Sequence, residues 1–500
     1  MNEIYTEIKK FLKDKIFITC LIFTALLSFG YGITHVSIGI DDLCFDRYVK
    51  GTWILSANRW GTWALYNFFR IDDFTPFWLE LITVFIYFIT ALVLCSAIKS
   101  IAKDKVDSRA YILLACGYIS FPILSYQFVY QSTNFSVALS NLILIIIAYL
   151  IFANVGDKKN KLWFIPYVLI SAFAIACYES CVQTYAVFAI MLTFFWINYS
   201  KELIKLRSIV TMGGFFILTI VIAIGVYYGI AMLEKAYLKQ IGELHFNAAY
   251  NTTIIEGIKM GKEDFLRFFL NYRYQELFQN NSKNIFVFTI AISSVIFMIC
   301  TIAQAIKNRR YHIIWLSFLA VIANLIFPVI FVALLYRIYY SWTVMIGIEY
   351  FVIFETVSNS KLLRKYKIGT VIFIFLAFVI FMQSKETSNK IYDDWRANEE
   401  AKNKFMFIGN TIESECSNPN KPVIYKFEYL ENGMTDTFEW TVSAFGEIGE
   451  LITKYINYYG FSVINSGKSW KPTEDYDKRK VVNSYVSEGE KYIYVEINQD

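Results

Sequence analysis

The sequence predicts a polytopic α-helical membrane protein of about eleven spans, with a small soluble α/β domain at its C-terminal end. Three observations predict it. The 500 residues are 56% hydrophobic and 18% charged, with mean hydropathy +0.43, whereas roughly a quarter of a soluble chain is charged. Apolar runs of about 20 residues, the length that crosses a ~30 Å hydrocarbon core, recur through the first 382 residues. Charge is divided as well: residues 383–500 hold 20 of the 42 acidic and 14 of the 47 basic residues, a net −6 against +11 for the rest.

The expected spans fall near 16–34, 77–98, 110–127, 135–153, 162–178, 181–198, 209–232, 285–306, 312–334, 338–356 and 368–382. Their connections alternate in charge. Basic clusters stand at Lys9 to Lys15, Lys99 to Arg109, Lys158 to Lys161, Lys201 to Arg207, Lys307 to Arg310 and Lys361 to Lys367. Lys and Arg accumulate in cytoplasmic loops, so the phase places the N-terminus inside and the C-terminus outside. The basic residues form short clusters between apolar runs and no continuous stripe, which argues against a nucleic-acid partner. The first run, Ile16 to Ile33, lacks a small-residue cleavage site and reads as a retained span.

Two outer segments are long, 35–76 and 233–284. Each contains an aromatic amphipathic stretch, Ala57 to Arg70 and Glu263 to Phe278, expected to lie as a helix at headgroup level. Beyond Met382, Asp394 to Thr411 and Phe445 to Tyr459 read as helices, and Pro422 to Tyr429 and Lys491 to Ile497 as strands. The organisation is thus a membrane domain over 1–382 and an extracytoplasmic domain over 383–500. Pro122 and Pro328 fall inside spans and are expected to kink them.

The eight cysteines show no CxxC pair and no neighbouring histidines, so no zinc site or disulfide framework follows. Three histidines without ligand spacing predict no metal site, although His35 and His245 fall on the outer side. Asp41 and Asp42 follow the first span directly, with Asp46, Arg47 and Arg59 just beyond. Charges at a membrane border are costly unless partnered and so mark sites. The alternative is that Asp41 or Asp42 caps a helix beginning at Leu43.

The first span, then Asp41-Asp42, then a Gly- and Trp-containing segment leading to Asn58-Arg59-Trp60-Gly61, resembles the bacterial type II glucosyltransferases. This Gtr group decorates surface glycans such as O-antigen and falls in the GT-C superfamily. The resemblance implies an inverting, GT-C-like enzyme of the bacterial cytoplasmic membrane. It would move a hexose, glucose by preference, from a polyprenyl-phosphate donor to a surface-polysaccharide acceptor on the outer face, with no cofactor. It also implies that Asp41 and Asp42 are the catalytic acidic pair. One departure is visible: where Tyr followed by Gln is expected at the outer end of a middle span, this chain reads Tyr178-Glu179, which leaves Glu179 as either a sugar-binding or a water-facing carboxylate.

The residue chemistry suits such a transfer. A sugar hydroxyl is a weak nucleophile that a carboxylate activates as general base, and a leaving lipid phosphate needs cations more than it needs an acid. Arg59, Arg273 and Arg337 are the candidates for this role expected on the outer face. Arg337 and Arg59 are assigned to donor phosphate, with headgroup snorkelling as the alternative for Arg337, and Glu179 and Tyr178 to acceptor. A divalent cation shared by Asp41 and Asp42 is a lesser alternative. A surface-polysaccharide polymerase or flippase is the rival function, and the flippase is disfavoured by the crowding of charge at the outer borders.

Overall fold

The computed structural model describes residues 2–38, 42, 51–71, 75–128, 131–155, 162–244, 285–330, 340–360, 363–364, 366–427, 448–464, 466, 479–481 and 484–497. The chain divides into two compact units. One comprises Met1–Thr34, Asp46–Phe128 and Ser132–Lys390, the other His35–Phe45, Val129–Gln131 and Ile391–Asp500.

The first unit is an array of helices: α1 (Asn2–Lys13), α2 (Lys15–Thr34), α3 (Thr52–Ser56), α4 (Trp60–Phe68), α5 (Pro76–Ala102), α6 (Ser108–Ser120), α7 (Gln131–Asn154), α8 (Phe164–Cys177), α9 (Cys181–Tyr199), α10 (Leu206–Gln240), α11 (Ile285–Asn308), α12 (His312–Ile330), α13 (Tyr340–Ser358) and the first part of α14 (Ile368–Glu415). A helix satisfies its own backbone polar groups, which is the condition for crossing lipid. Helix covers most of the described part of each stretch expected to span, with a break at Phe121 in the third. Seven of the described helices are long and apolar enough to cross a membrane, and three shorter apolar helices accompany them.

Burial separates centre from rim. The apolar stretch of α9 is 83% buried, against 22% for α10 and 28% for α14, so α9 is central and the other two are peripheral. Helix α13 packs against α6, α9 and α11. Its approach to α6 depends on two glycines: a Cβ on Gly347 would stand 2.6 Å from the Leu114 carbonyl oxygen, and one on Gly117 would stand 2.9 Å from the Tyr350 ring. Small residues let membrane helices come this close.

Three local features depart from the sequence expectation or were absent from it. An amphipathic helix, α1, precedes the first span and packs on α5, with Phe11 buried beneath the Lys99 ammonium, 4.7 Å from its ring. Pro122 ends α6 outright instead of kinking a continuous helix; a 3-10 turn, Pro122–Leu124, and a short helix, Ser125–Phe128, follow. The Ser120 carbonyl left at that end accepts the Thr387 hydroxyl at 2.8 Å. Third, α14 does not stop at Met382: it runs as one helix to Glu415, because no glycine or proline interrupts the chain between Gly369 and Gly409.

In the second unit a four-stranded sheet has the order β1-β4-β3-β2. Strand β1 (Val423–Phe427) pairs in parallel with β4 (Ile493–Ile497), while β4 with β3 (Ser484–Glu488) and β3 with β2 (Arg479–Val481) are antiparallel. Phe405, Ile408 and Ile412 of α14 recur at helical spacing and bury against Ile452 and Ile456 of α15 (Ile448–Tyr458) and against Val423, Val486, Ile493 and Val495 of the sheet. Ile38, just before the Asp41-Asp42 pair, belongs to this core, and its carbonyl accepts the Asn398 amide at 3.0 Å.

Candidate functional site

The first unit brings together three of the residues singled out in the sequence. Arg59 opens α4, and the chain reaches it through Asn58, whose φ of 62° is a left-handed conformation that asparagine tolerates. Helix α4 then sits directly on the end of α8. A Cβ on Gly61 would lie 2.6 Å from both the Cys177 nitrogen and the Phe173 oxygen. Thr62 donates its hydroxyl to the Cys177 carbonyl at 2.9 Å, and Tyr66 donates to the Ser132 carbonyl. These contacts fix Arg59 against the turn between α8 and α9.

In that turn Tyr178 is extended, with φ −161°, and carbonyls of Tyr178, Glu179 and Ser180 accept the first amides of α9 at 3.1 to 3.2 Å. The Tyr178 ring is buried between two partners: the Arg59 guanidinium lies 5.0 Å from its centroid, and the Tyr340 ring meets it edge-on at 6.4 Å. Glu179, half-buried, accepts the phenolic hydroxyl of Tyr227. Tyr227 is held by the apolar cluster of Val168, Ala172, Ile175, Ala176, Val182 and Ala223. Both Glu179 and Arg59 act electrostatically on its hydroxyl. No ion pair joins Arg59 to Glu179 among the described residues, and no described residue accepts a hydrogen bond from the guanidinium.

The other expected site residues are distributed differently. Asp42 is helical and 4% exposed; it falls in the second unit, where burial first, and its carboxylate second, push the Tyr458 phenol up. Asp41, one of the expected catalytic pair, and Arg337, an expected phosphate ligand, lie outside the described residues, as do Arg273, His245 and the stretch Glu263 to Phe278. His35 stands edge-on to Trp395 at 5.2 Å. No group of three or more metal-ligating side chains occurs among the described residues.

Sequence reasoning missed Tyr227 and three buried carboxylates. Glu80 in α5 is wholly buried. Glu349 in α13 accepts the hydroxyls of Ser293 and Ser294 from α11, the latter at 2.6 Å. Glu355, two turns along α13, accepts from Gln304 and Asn359 at 2.6 Å each. Ionisable residues are therefore not confined to the borders of the array, which corrects the sequence argument used against a flippase. Hydroxyls and amides replace water around Glu349 and Glu355. For Tyr227 no sequence signal stood out, since Phe215 and Phe216 share its span and a tyrosine near the end of a span reads first as a headgroup anchor.

Comparison with known proteins bears on what this arrangement does. The glucosyl transferase GtrII family model matches residues 30–354, which covers α3 to α12, most of α13 and every residue of the Arg59 cluster. No curated protein and no solved structure matches the chain.

Proposed function

Because the chain belongs to the GtrII family of glucosyltransferases, we propose that it transfers glucose from a polyprenyl phosphate to a surface polysaccharide, with inversion, at the outer face of a bacterial cytoplasmic membrane. The observation that carries this reading is the Arg59 guanidinium, stacked on Tyr178 beside Glu179 with its N–H groups unclaimed by any described residue. A planar guanidinium fixed in this way suits a phosphate, and a carboxylate on the adjacent residue suits a sugar hydroxyl.

In the proposed reaction an acceptor hydroxyl attacks the anomeric carbon from the face opposite the phosphate. The new C–O bond forms as the bond from C1 to the phosphate oxygen breaks, and the electron pair leaves with polyprenyl phosphate. The hydroxyl proton passes to the Asp41 carboxylate, and Asp42, buried within its own unit, orients that stretch. Arg59 and Arg337 take the charge that develops on the phosphate. Glu179 and Tyr178 contact the acceptor, and the bilayer presents the lipid donor. No step is assigned to a metal or cofactor.

The test is glucose transfer from purified polyprenyl-phosphate glucose in nanodiscs, at equal protein level. Asp41→Asn keeps size and capping ability but removes the base, so turnover should fall at least about 10²-fold. Near-native turnover in that variant would remove Asp41 from the base role, and a larger loss in Asp42→Asn would move the role by one residue.

A further inference from the structure

Glu179 and Arg59 carry opposite charges on adjoining turns, within electrostatic reach of one phenol, yet they form no ion pair. Unconstrained neighbours of this kind would pair, and the resulting salt bridge would consume the donors that an anionic substrate needs. Two tyrosines stand in the way. Tyr178 offers its ring to the guanidinium, and Tyr227 takes a carboxylate oxygen of Glu179. The Tyr227 ring is 1% exposed and is packed by α8 and α10 residues, so its hydroxyl is a fixed point against which Glu179 is held.

We propose that Tyr227 is the positioning residue of this site: by claiming Glu179 it keeps that carboxylate off Arg59 and leaves the guanidinium free for the phosphate of the donor. This deepens the functional reading above and rests on it for the identity of the anion. Tyr227 does not touch substrate. It acts through Glu179, and its loss therefore falls on donor binding more than on the chemical step. In Tyr227→Phe the ring still fills its place, but Glu179 swings to Arg59 and competes with the phosphate.

Two measurements test this on the full-length protein in nanodiscs. In glucose transfer from polyprenyl-phosphate glucose, Tyr227→Phe should raise donor KM at least about tenfold with a smaller change in kcat. Adding Glu179→Gln to that variant should return donor KM toward the wild-type value, because a neutral amide cannot pair with Arg59. A purely structural role for Tyr227 predicts no such rescue. The second readout needs no donor: the rate at which phenylglyoxal modifies the peptide containing Arg59, followed by mass spectrometry. Modification should slow in Tyr227→Phe and recover in the double variant.

Glu179→Gln alone leaves the Tyr227 ring untouched and covers the case in which Tyr227→Phe does not fold. It should modify at the wild-type rate, whereas a faster rate would mean that Glu179 already holds Arg59, and the proposal would be wrong. Unchanged donor KM and labelling in Tyr227→Phe, or no rescue by Glu179→Gln, would also overturn it. A wild-type enzyme inactive with this donor would refute the proposed function, and the labelling rates would still decide the role of Tyr227.

Discussion

At the residue scale, the cluster at the α8–α9 turn distinguishes shape from charge. Arg59→Lys keeps a cation but loses the flat face that stacks on Tyr178 and the fork that grips two oxygens. Donor KM should therefore rise about tenfold in Arg59→Lys and further in Arg59→Ala, measured by glucose transfer at saturating acceptor; equal KM in wild type and Arg59→Lys would reduce the residue to a point charge. A second prediction concerns Glu488, which joins β3 to the chain entering β1. It pairs with Lys421 at 2.7 Å and accepts from the Ser417 hydroxyl at 2.7 Å and the Ser417 amide at 2.6 Å. The Lys421 ammonium first, then Ser417, hold its carboxyl down at about 2, from an ordinary 4.5. A depressed carboxyl stabilises fully above its unfolded value, and that contribution disappears as pH falls through the folded one. The protection of β3 and of the turn at Ser417, taken as exchange rates relative to the intrinsic rate at each pH, should thus fall between pH 4.5 and about 2, and Lys421→Ala, which raises the folded value, should shrink that fall. Arg59, Tyr178 and Glu179 were legible in the sequence because charges at a span border stand out against apolar neighbours. Tyr227 was not, because a tyrosine near the end of a span reads first as a headgroup anchor, and only packing shows that its hydroxyl turns inward to a carboxylate.

Among the elements, the site depends on how closely α4 approaches α8. Gly61→Ala would place a Cβ 2.6 Å from two backbone atoms of α8, and backbone, unlike a side chain, has no rotamer in which to retreat. The helices must separate, at a cost of about 3 kcal/mol, and Arg59 moves away from Tyr178. The expected result is a lower melting temperature in detergent together with lost donor affinity, and native behaviour in Gly61→Ala would show α4 to be loosely seated. Helix positions in the membrane part were readable because a buried or lipid-facing span is apolar all round and basic clusters mark its ends. The ends themselves were less readable. The break at Pro122 and the continuity of α14 past Met382 are set by backbone chemistry and by what caps the freed groups, and composition averages over both. Glu349 and Glu355 of α13 were passed over for a related reason: a window of 19 residues registers them as a slight loss of hydropathy, while their partners Ser293, Ser294 and Gln304 come from α11, distant in sequence.

For the whole molecule, the contacts among loops bear on which ends of the helices share a side. Lys105 donates to the Tyr199 carbonyl at 2.6 Å, Arg310 to the carbonyls of Ile197, Asn198 and Ser200, Lys307 to the Asn359 carbonyl at 3.4 Å, and Lys99 lies 3.6 Å from Glu7. The basic clusters after α5, α9, α11 and α13 therefore meet at one end of the array. Tyr178 begins the turn into α9 and Tyr199 ends that helix, so the Arg59 cluster belongs to the opposite end. If the basic end is cytoplasmic, as the Lys and Arg bias favours, Arg59 and Glu179 face outward, where a lipid-linked donor and a surface glycan are both accessible. Single cysteines placed at 363 and 430 in a background without native cysteines test this. A membrane-impermeant maleimide added to intact cells should label position 430 and spare position 363 until the membrane is permeabilised. The reverse pattern would put the Arg59 cluster on the cytoplasmic side, away from any surface acceptor, and would leave the glucosyltransferase assignment standing while overturning the proposed donor and acceptor.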